Sequence, residues 1–197
     1  MTPQIVVVTG PTATGKTRLG VELAQRLGGE IVSADSMQVY RGFDIGTAKV
    51  TAAETQGVPH HMIDVADPRE DYSVSRYAND ATVAAQGIIE RGHVPIIVGG
   101  TGLYIDALIR GTDFAPVGDT ETRAQIETQY DTQGGEKTLE HLRTVDPETA
   151  SRLHPNDRRR IVRALEIHAL TGRTMSEYDA ETRARAPQFD ALMLALT

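Results

Sequence analysis

The segment from Ile5 to Leu27 restricts the fold more than any other part of this chain. Ile5-Val6-Val7-Val8 is a short β-branched run, the composition of a buried strand. Gly10-Pro11-Thr12-Ala13-Thr14-Gly15-Lys16-Thr17 follows directly, and Leu19, Leu23 and Leu27 then recur at helical spacing. Strand, G-x-x-x-x-G-K-[ST] loop and helix, in that order, let backbone N–H groups curl around a polyphosphate. The amino end of the new helix points its positive pole at the same place. Lys16 would bring a point charge to the phosphates, and Thr17 a hydroxyl to a bridging Mg²⁺. A plain glycine-rich turn with an exposed lysine explains the segment less well, because every motif position is filled and both flanking elements fit. A phosphorylated ligand is therefore expected.

The later strands decide where such a ligand would sit. Glu30-Ile31-Val32-Ser33-Ala34 reads as a second strand ending on Asp35, and Val94-Pro95-Ile96-Ile97-Val98 as another, running into Gly99-Gly100-Thr101-Gly102. Between them, His60–Val65 has strand character, and Ser73 caps a helix from Val74 to about Arg91. Continuous apolar strands alternating with helices predict a parallel α/β sheet covered on both faces. Ligands of such sheets bind beyond the carboxyl ends of the strands. Gly10, Asp35 and Thr101 all follow strand ends, so three segments remote in sequence should meet at one crevice.

From about 112 the texture changes. Residues 114–118 read as a linker, and the sequence to Leu153 is polar, helical and thin in large apolar residues. The predicted division is a core over 1–111, a helical insertion over 112–153 lying on the sheet rather than forming its own core, and a return to the core over 154–197. That last part carries a helix to Leu170, a short helix opened by Thr174, and a final strand over Phe189–Leu196. No run is long enough to span a membrane and no cysteine is present, so no membrane association and a cytoplasmic location are expected. A net charge of −7 argues against indiscriminate nucleic-acid binding, though it leaves room for one basic patch.

Individual residues suggest chemistry. Asp35 is placed to accept a proton from a nucleophile aimed at a loop-bound ligand, or to cap a local turn, and the two roles are compatible. Thr101 either bonds a phosphate oxygen or caps the helix that follows. Arg158-Arg159-Arg160 with Arg163 loads the unfavourable end of a helix dipole with positive charge, which suggests an anionic partner beside the ordinary reading of a solvated face. His60 and His61 point to opposite faces of one strand, so they are not expected to share a metal. Three readings remain open on the residues alone. They are attack by a nucleophile on a loop-bound phosphorylated ligand, an ATP-dependent kinase on the same loop, and an RNA-binding module in which the loop only stabilises the fold.

Taken together, Gly10–Thr17, Ser33–Tyr40, Asp44–Lys49, Gly99–Tyr104, and His154–Asp157 with Arg160 and Arg163–Glu166 resemble the tRNA dimethylallyltransferase family. The resemblance implies transfer of a dimethylallyl group from dimethylallyl diphosphate to N6 of the adenosine 3′ of the tRNA anticodon. It further implies that Gly10, Pro11, Thr12, Ala13, Thr14, Gly15, Lys16 and Thr17 bind the diphosphate, with Mg²⁺ on Thr17 as cofactor. Asp35 and Thr101 would be catalytic. The tRNA anticodon stem-loop would be contacted by Asp35, Ser36, Met37, Gln38, Thr101, Arg123, Arg159, Arg160, Ile161, Val162 and Arg163, and embraced by the insertion. Members of that family continue well past the final strand, so a truncated form with diphosphate affinity and weak or no transfer is expected, as a monomer.

Overall fold

The computed structural model describes residues 4–111, 114 and 119–197. The expected linker over 114–118 therefore lies, apart from Phe114, outside the described residues. The chain divides into two compact units, one of residues up to 112 together with 186–197, the other of 113–185.

The first unit is a parallel sheet. Its strands are β1 (Ile5–Thr9), β2 (Gly29–Ser33), β3 (His60–His61), β4 (Val94–Gly99) and β5 (Ala191–Ala195), in the spatial order β3-β2-β4-β1-β5. Every pairing is parallel. Alternate side chains explain why both faces need cover. Ile5, Val7, Val32 and Ile97 enter one apolar cluster with Tyr77, Ile88, Tyr104 and Leu108. Those partners come from α3 (Val74–Glu90) and α4 (Gly102–Arg110). Val6, Val8, Ile31, Ile96 and Val98 face the other way and meet Val21 and Ala24 of α1 (Lys16–Leu27). Each fully buried aliphatic side chain contributes on the order of 1.5–3 kcal/mol, so the two faces together hold the sheet. The cap of α3 is as expected, with Ser73 Oγ accepting from the Arg76 N–H at 3.2 Å. Among the described residues no helix is long and apolar enough to cross a membrane.

Two expectations need correction. The third strand stops after His61 instead of reaching Val65. Met62 and Asp64 adopt positive φ (64° and 56°), a left-handed backbone that cannot continue a ladder. The chain instead binds the β2 loop through Asp64 N–H to the Gln38 carbonyl (3.1 Å) and Ala66 N–H to the Val39 carbonyl (2.9 Å).

The helical part also extends to 185 rather than 153, and it does own a core. The second unit contains α5 (Thr120–Gln133), α6 (Gly135–Val145), α7 (Pro147–Ser151), α8 (Arg158–Thr171) and α9 (Met175–Ala184). Between them, α2 (Ala52–Thr55) being in the first unit, Leu139, Leu142, Ala150, Ile161, Ala164 and Leu165 form one buried cluster. The apolar residues missing from 112–153 are supplied by α8, which packs on α5 and α6. At the heart of this unit Glu166, fully buried, accepts both Arg123 (3.1 and 3.0 Å) and Arg163 (2.8 Å).

Near the amino end of β2, Glu30 is buried beneath Arg91 (2.8 and 3.2 Å), His61 (2.7 Å) and His93 (2.7 Å). The Arg91 guanidinium is the main influence holding its carboxyl at about 2, against a burial effect in the opposite direction and with the two histidines assisting. A carboxylate depressed from 4.5 stabilises the fold above that value and loses the contribution as pH falls through about 2. Glu30→Gln is therefore expected to cost roughly 2 kcal/mol at neutral pH, allowing for the half-exposed Arg91 and His93, and much less near pH 2. Urea denaturation of the two proteins across that pH range checks it.

Candidate active site

The loop between β1 and α1 bends through Gly10 (φ 143°), Ala13 (φ 68°) and Gly15 (φ 85°). Its hydrogen bonds converge on Pro11, whose carbonyl accepts from Thr14 Oγ1 at 2.9 Å and from the Lys16 ammonium. Lys16 and Thr17 open α1, so its first free N–H groups and the lysine charge share one end of the helix.

The loop after β2 approaches from the side. Asp35 Oδ1 accepts the N–H of Met37 at 2.8 Å and of Gln38 at 3.4 Å, closing an Asx turn. Among the described residues its second oxygen has no hydrogen bond. Gln38 is braced at both ends of its amide. Ser33 Oγ donates to Oε1 (3.0 Å), and Nε2 donates to the carbonyls of Thr47 (3.1 Å) and Ala48 (3.4 Å).

The loop after β4 completes the arrangement. A side chain at Gly99 would strike the backbone of Ala34, so only glycine permits this approach of the two strand ends. Thr101 N–H then donates to the Ala34 carbonyl (3.1 Å), and Thr101 Oγ1 accepts the Ser36 N–H (3.1 Å). Thr101 occupies the N-cap position of α4 without making a side-chain cap bond. Its hydroxyl is spent on the neighbouring loop instead.

A cavity of about 360 Å³ opens over these strand ends. Thr12, Ala13, Gly15, Lys16 and Thr17 line it with Asp35, Gln38 and Gly99, and an apolar side is made by Ile31, Val50, Ile63 and Val98. Phosphate-loop residues and the β2 carboxylate thus share one hollow. Thr101 stands outside its lining and acts on it through the Ser36 loop. The Thr17 hydroxyl that lines this cavity is a hard oxygen donor of the kind Mg²⁺ accepts.

The expected RNA-contact residues separate by burial. Ile161 and Val162 are 0% and 3% exposed, so their side chains belong to the interior of the helical unit and are not available to a ligand. Arg123 is engaged as a fork on Glu166, and Arg163 also pairs with Glu166. Arg158 pairs with Asp131 (2.8 Å) and Glu127 (3.5 Å), which offsets part of the charge at the start of α8 from within the chain. Arg159 and Arg160 are exposed and, among the described residues, their guanidinium groups have no partner. Two residues enter the sequence reading only within signature segments, with no role assigned. Lys49 is almost fully buried, with its ammonium on Tyr40 O (3.0 Å), Asp44 (2.7 Å) and Asp64 (2.6 Å). Burial alone would lower its pKa, and the two carboxylates raise it above the ordinary lysine value. Glu166 is the other; its signal was a carboxylate three residues after Arg163 among apolar helix positions.

These features define a parallel α/β protein with a glycine-rich loop at a helix amino end and a carboxylate beside it. Residues 38–197 match the model of the IPP transferase family. A tRNA dimethylallyltransferase of Caldanaerobacter subterraneus is 48% identical over 100% of this chain and 63% of its own length. That of Desulforudis audaxviator is 50% identical over 98% of this chain and 62% of its own length. Among solved structures, the full-length tRNA isopentenylpyrophosphate transferase of Bacillus halodurans is 43% identical, with a TM-score of 0.62 over 98% of this chain and 59% of that one. A eukaryotic dimethylallyltransferase acting on tRNA is 34% identical with a TM-score of 0.83, over 99% of this chain and 48% of that one. The chain belongs to the IPP transferase family, and it spans about 63% of the length of the curated relatives it matches.

Replacing Thr101 by valine leaves the Ser36 N–H without its acceptor. The expected cost is about 1 kcal/mol of stability, with Thr101→Ser close to the parent, measured by urea denaturation.

Proposed function

We propose that this chain carries the diphosphate site and reacting carboxylate of a tRNA dimethylallyltransferase, acting on the adenosine 3′ of the anticodon. The observation that carries the reading is that Lys16, Thr17 and Asp35 line one cavity together with the apolar side chains of Ile31, Val50, Ile63 and Val98. An allylic diphosphate has the matching halves, a charged head for the loop and a hydrocarbon tail for Ile31, Val50, Ile63 and Val98.

In this reading the loop N–H groups and Lys16 hold the diphosphate and stabilise the negative charge that grows as the C1–O bond breaks. Mg²⁺ held at the Thr17 hydroxyl would neutralise further charge on the departing diphosphate. The adenine leaves its stack to enter the cavity, and its N6 forms the new bond to C1. Asp35 takes the N6 proton on its free oxygen while the other stays in the turn with Met37 and Gln38. Thr101 serves as a positioning residue, fixing the loop that carries Asp35. Within the Arg158–Arg163 stretch, Arg159 and Arg160 are available to tRNA phosphates. A monomer in the cytoplasm fits this assignment.

Because Asp35 also closes a turn, the informative variant is Asp35→Asn, which keeps an acceptor oxygen and removes the base. Dimethylallyl diphosphate binding by calorimetry should persist, while transfer to an anticodon stem-loop falls by roughly 10²–10⁴. Equal loss of both would assign Asp35 to ligand binding, and binding of ATP in place of the allylic diphosphate would overturn the reading.

Arg159→Ala and Arg160→Ala should each lower the slope of log affinity for RNA against log salt by about one. Arg158→Ala should leave that slope unchanged, since its charge is committed to Asp131 and Glu127.

A further inference from the structure

Beside the cavity, the loop from Met37 to Thr47 exposes large apolar side chains that the chemistry above does not use. Ile45 is 99% exposed, Met37 46% and Phe43 41%. They border a second hollow that also includes Thr47, and Thr47 lines the cavity of Lys16 and Asp35 as well. The apolar rim is thus continuous with the proposed reaction site.

This loop is held firmly despite its exposure. The Lys49 ammonium donates to the Tyr40 carbonyl and the Asp44 carboxylate of this loop and to the carboxylate of Asp64, and the Thr47 hydroxyl donates to the Phe43 carbonyl. The Tyr40 ring supports Phe43 with centroids 5.8 Å apart and planes at 47°. Two residues before Phe43, Arg41 is exposed, and the bond its guanidinium makes is to the Asp64 carbonyl (3.1 Å). An aromatic face, flanking aliphatic surface and a cation on preorganised backbone are the elements that receive unstacked bases of single-stranded RNA. Such a platform gains contact area without paying to order itself.

Resting on the RNA reading above, we propose that Met37, Phe43 and Ile45 form a stacking platform for the bases that flank the reacting adenine. A base extruded from a loop leaves its neighbours without stacking partners. The rim next to the cavity mouth replaces them, and the positive Arg41 suits the phosphates between them better than it would an apolar protein surface.

The test uses this chain, an anticodon stem-loop carrying 2-aminopurine next to the target adenosine, and dimethylallyl diphosphate as a control ligand. The parent should change the 2-aminopurine fluorescence on binding. The double variant Phe43→Ala, Ile45→Ser should lose that change and bind the hairpin roughly tenfold more weakly, with diphosphate affinity and salt slope retained. Unaltered fluorescence and RNA affinity in that variant would overturn the proposal. So would a parent that is dimeric in solution and made monomeric by the same changes, which would assign the rim to a second copy. A parent that binds the diphosphate and not the hairpin removes the RNA reading and the platform with it, whereas normal hairpin binding without a fluorescence response in the parent removes the platform alone. Should the double variant lose the diphosphate as well, Phe43→Trp decides. Retention of the fluorescence change supports the platform, and its loss overturns it.

Discussion

The Ala34 carbonyl, at the end of β2, is the point on which the site depends. It accepts the Thr101 N–H, and the Ala34 N–H in turn donates to Val98 at 2.8 Å. The bareness of Gly99 lets the backbones come this close. From that seam the Ser36 loop is drawn onto the Thr101 hydroxyl, and the turn closed by Asp35 faces the phosphate loop rather than solvent. Nothing in this chain of contacts is strong by itself, at about 1 kcal/mol per hydrogen bond. Their effect is geometric. They convert the ends of two neighbouring strands into one wall, opposite a helix terminus that attracts anions.

Charge is distributed with similar economy. The two buried carboxylates that hold arginine, Glu30 and Glu166, lie in different units, and each takes more than one cationic partner. Within the Arg158–Arg163 stretch, pairing separates side chains that stabilise the helical unit from those left for solution. An acidic protein can in this way present a small basic surface without a net positive charge.

Much of this was legible in the sequence. Period-two burial and unbroken apolar strands require a sheet covered on both sides, and the loop sequence from Gly10 to Thr17 has a single structural context that uses all its residues. What the sequence obscured followed from tertiary compensation. The segment 112–153 is thin in large apolar residues because its core partner, α8, is encoded later, so a local reading assigned Ile161 and Leu165 to the wrong unit. Thr101 carries every mark of a helix cap, yet its hydroxyl finds a closer acceptor role across the sheet. Ile161 and Val162 sit within an arginine-rich stretch, and only helical phase distinguishes their inward faces from their neighbours. Lys49 looks like any surface lysine until Asp44 and Asp64 are brought round it.

The position of β1 has a consequence for how the molecule comes into being. This strand is flanked by β4 on one side and β5 on the other, and the bond from Asp190 to Gln4 spans 186 residues of chain. During synthesis the first strand thus waits for its second neighbour until the whole helical unit has left the ribosome. That unit, built on contacts between nearby helices, can fold promptly, whereas the sheet closes late and slowly. A nascent chain of this kind leaves one flank of β1 without its strand partner until residues 191–195 have emerged.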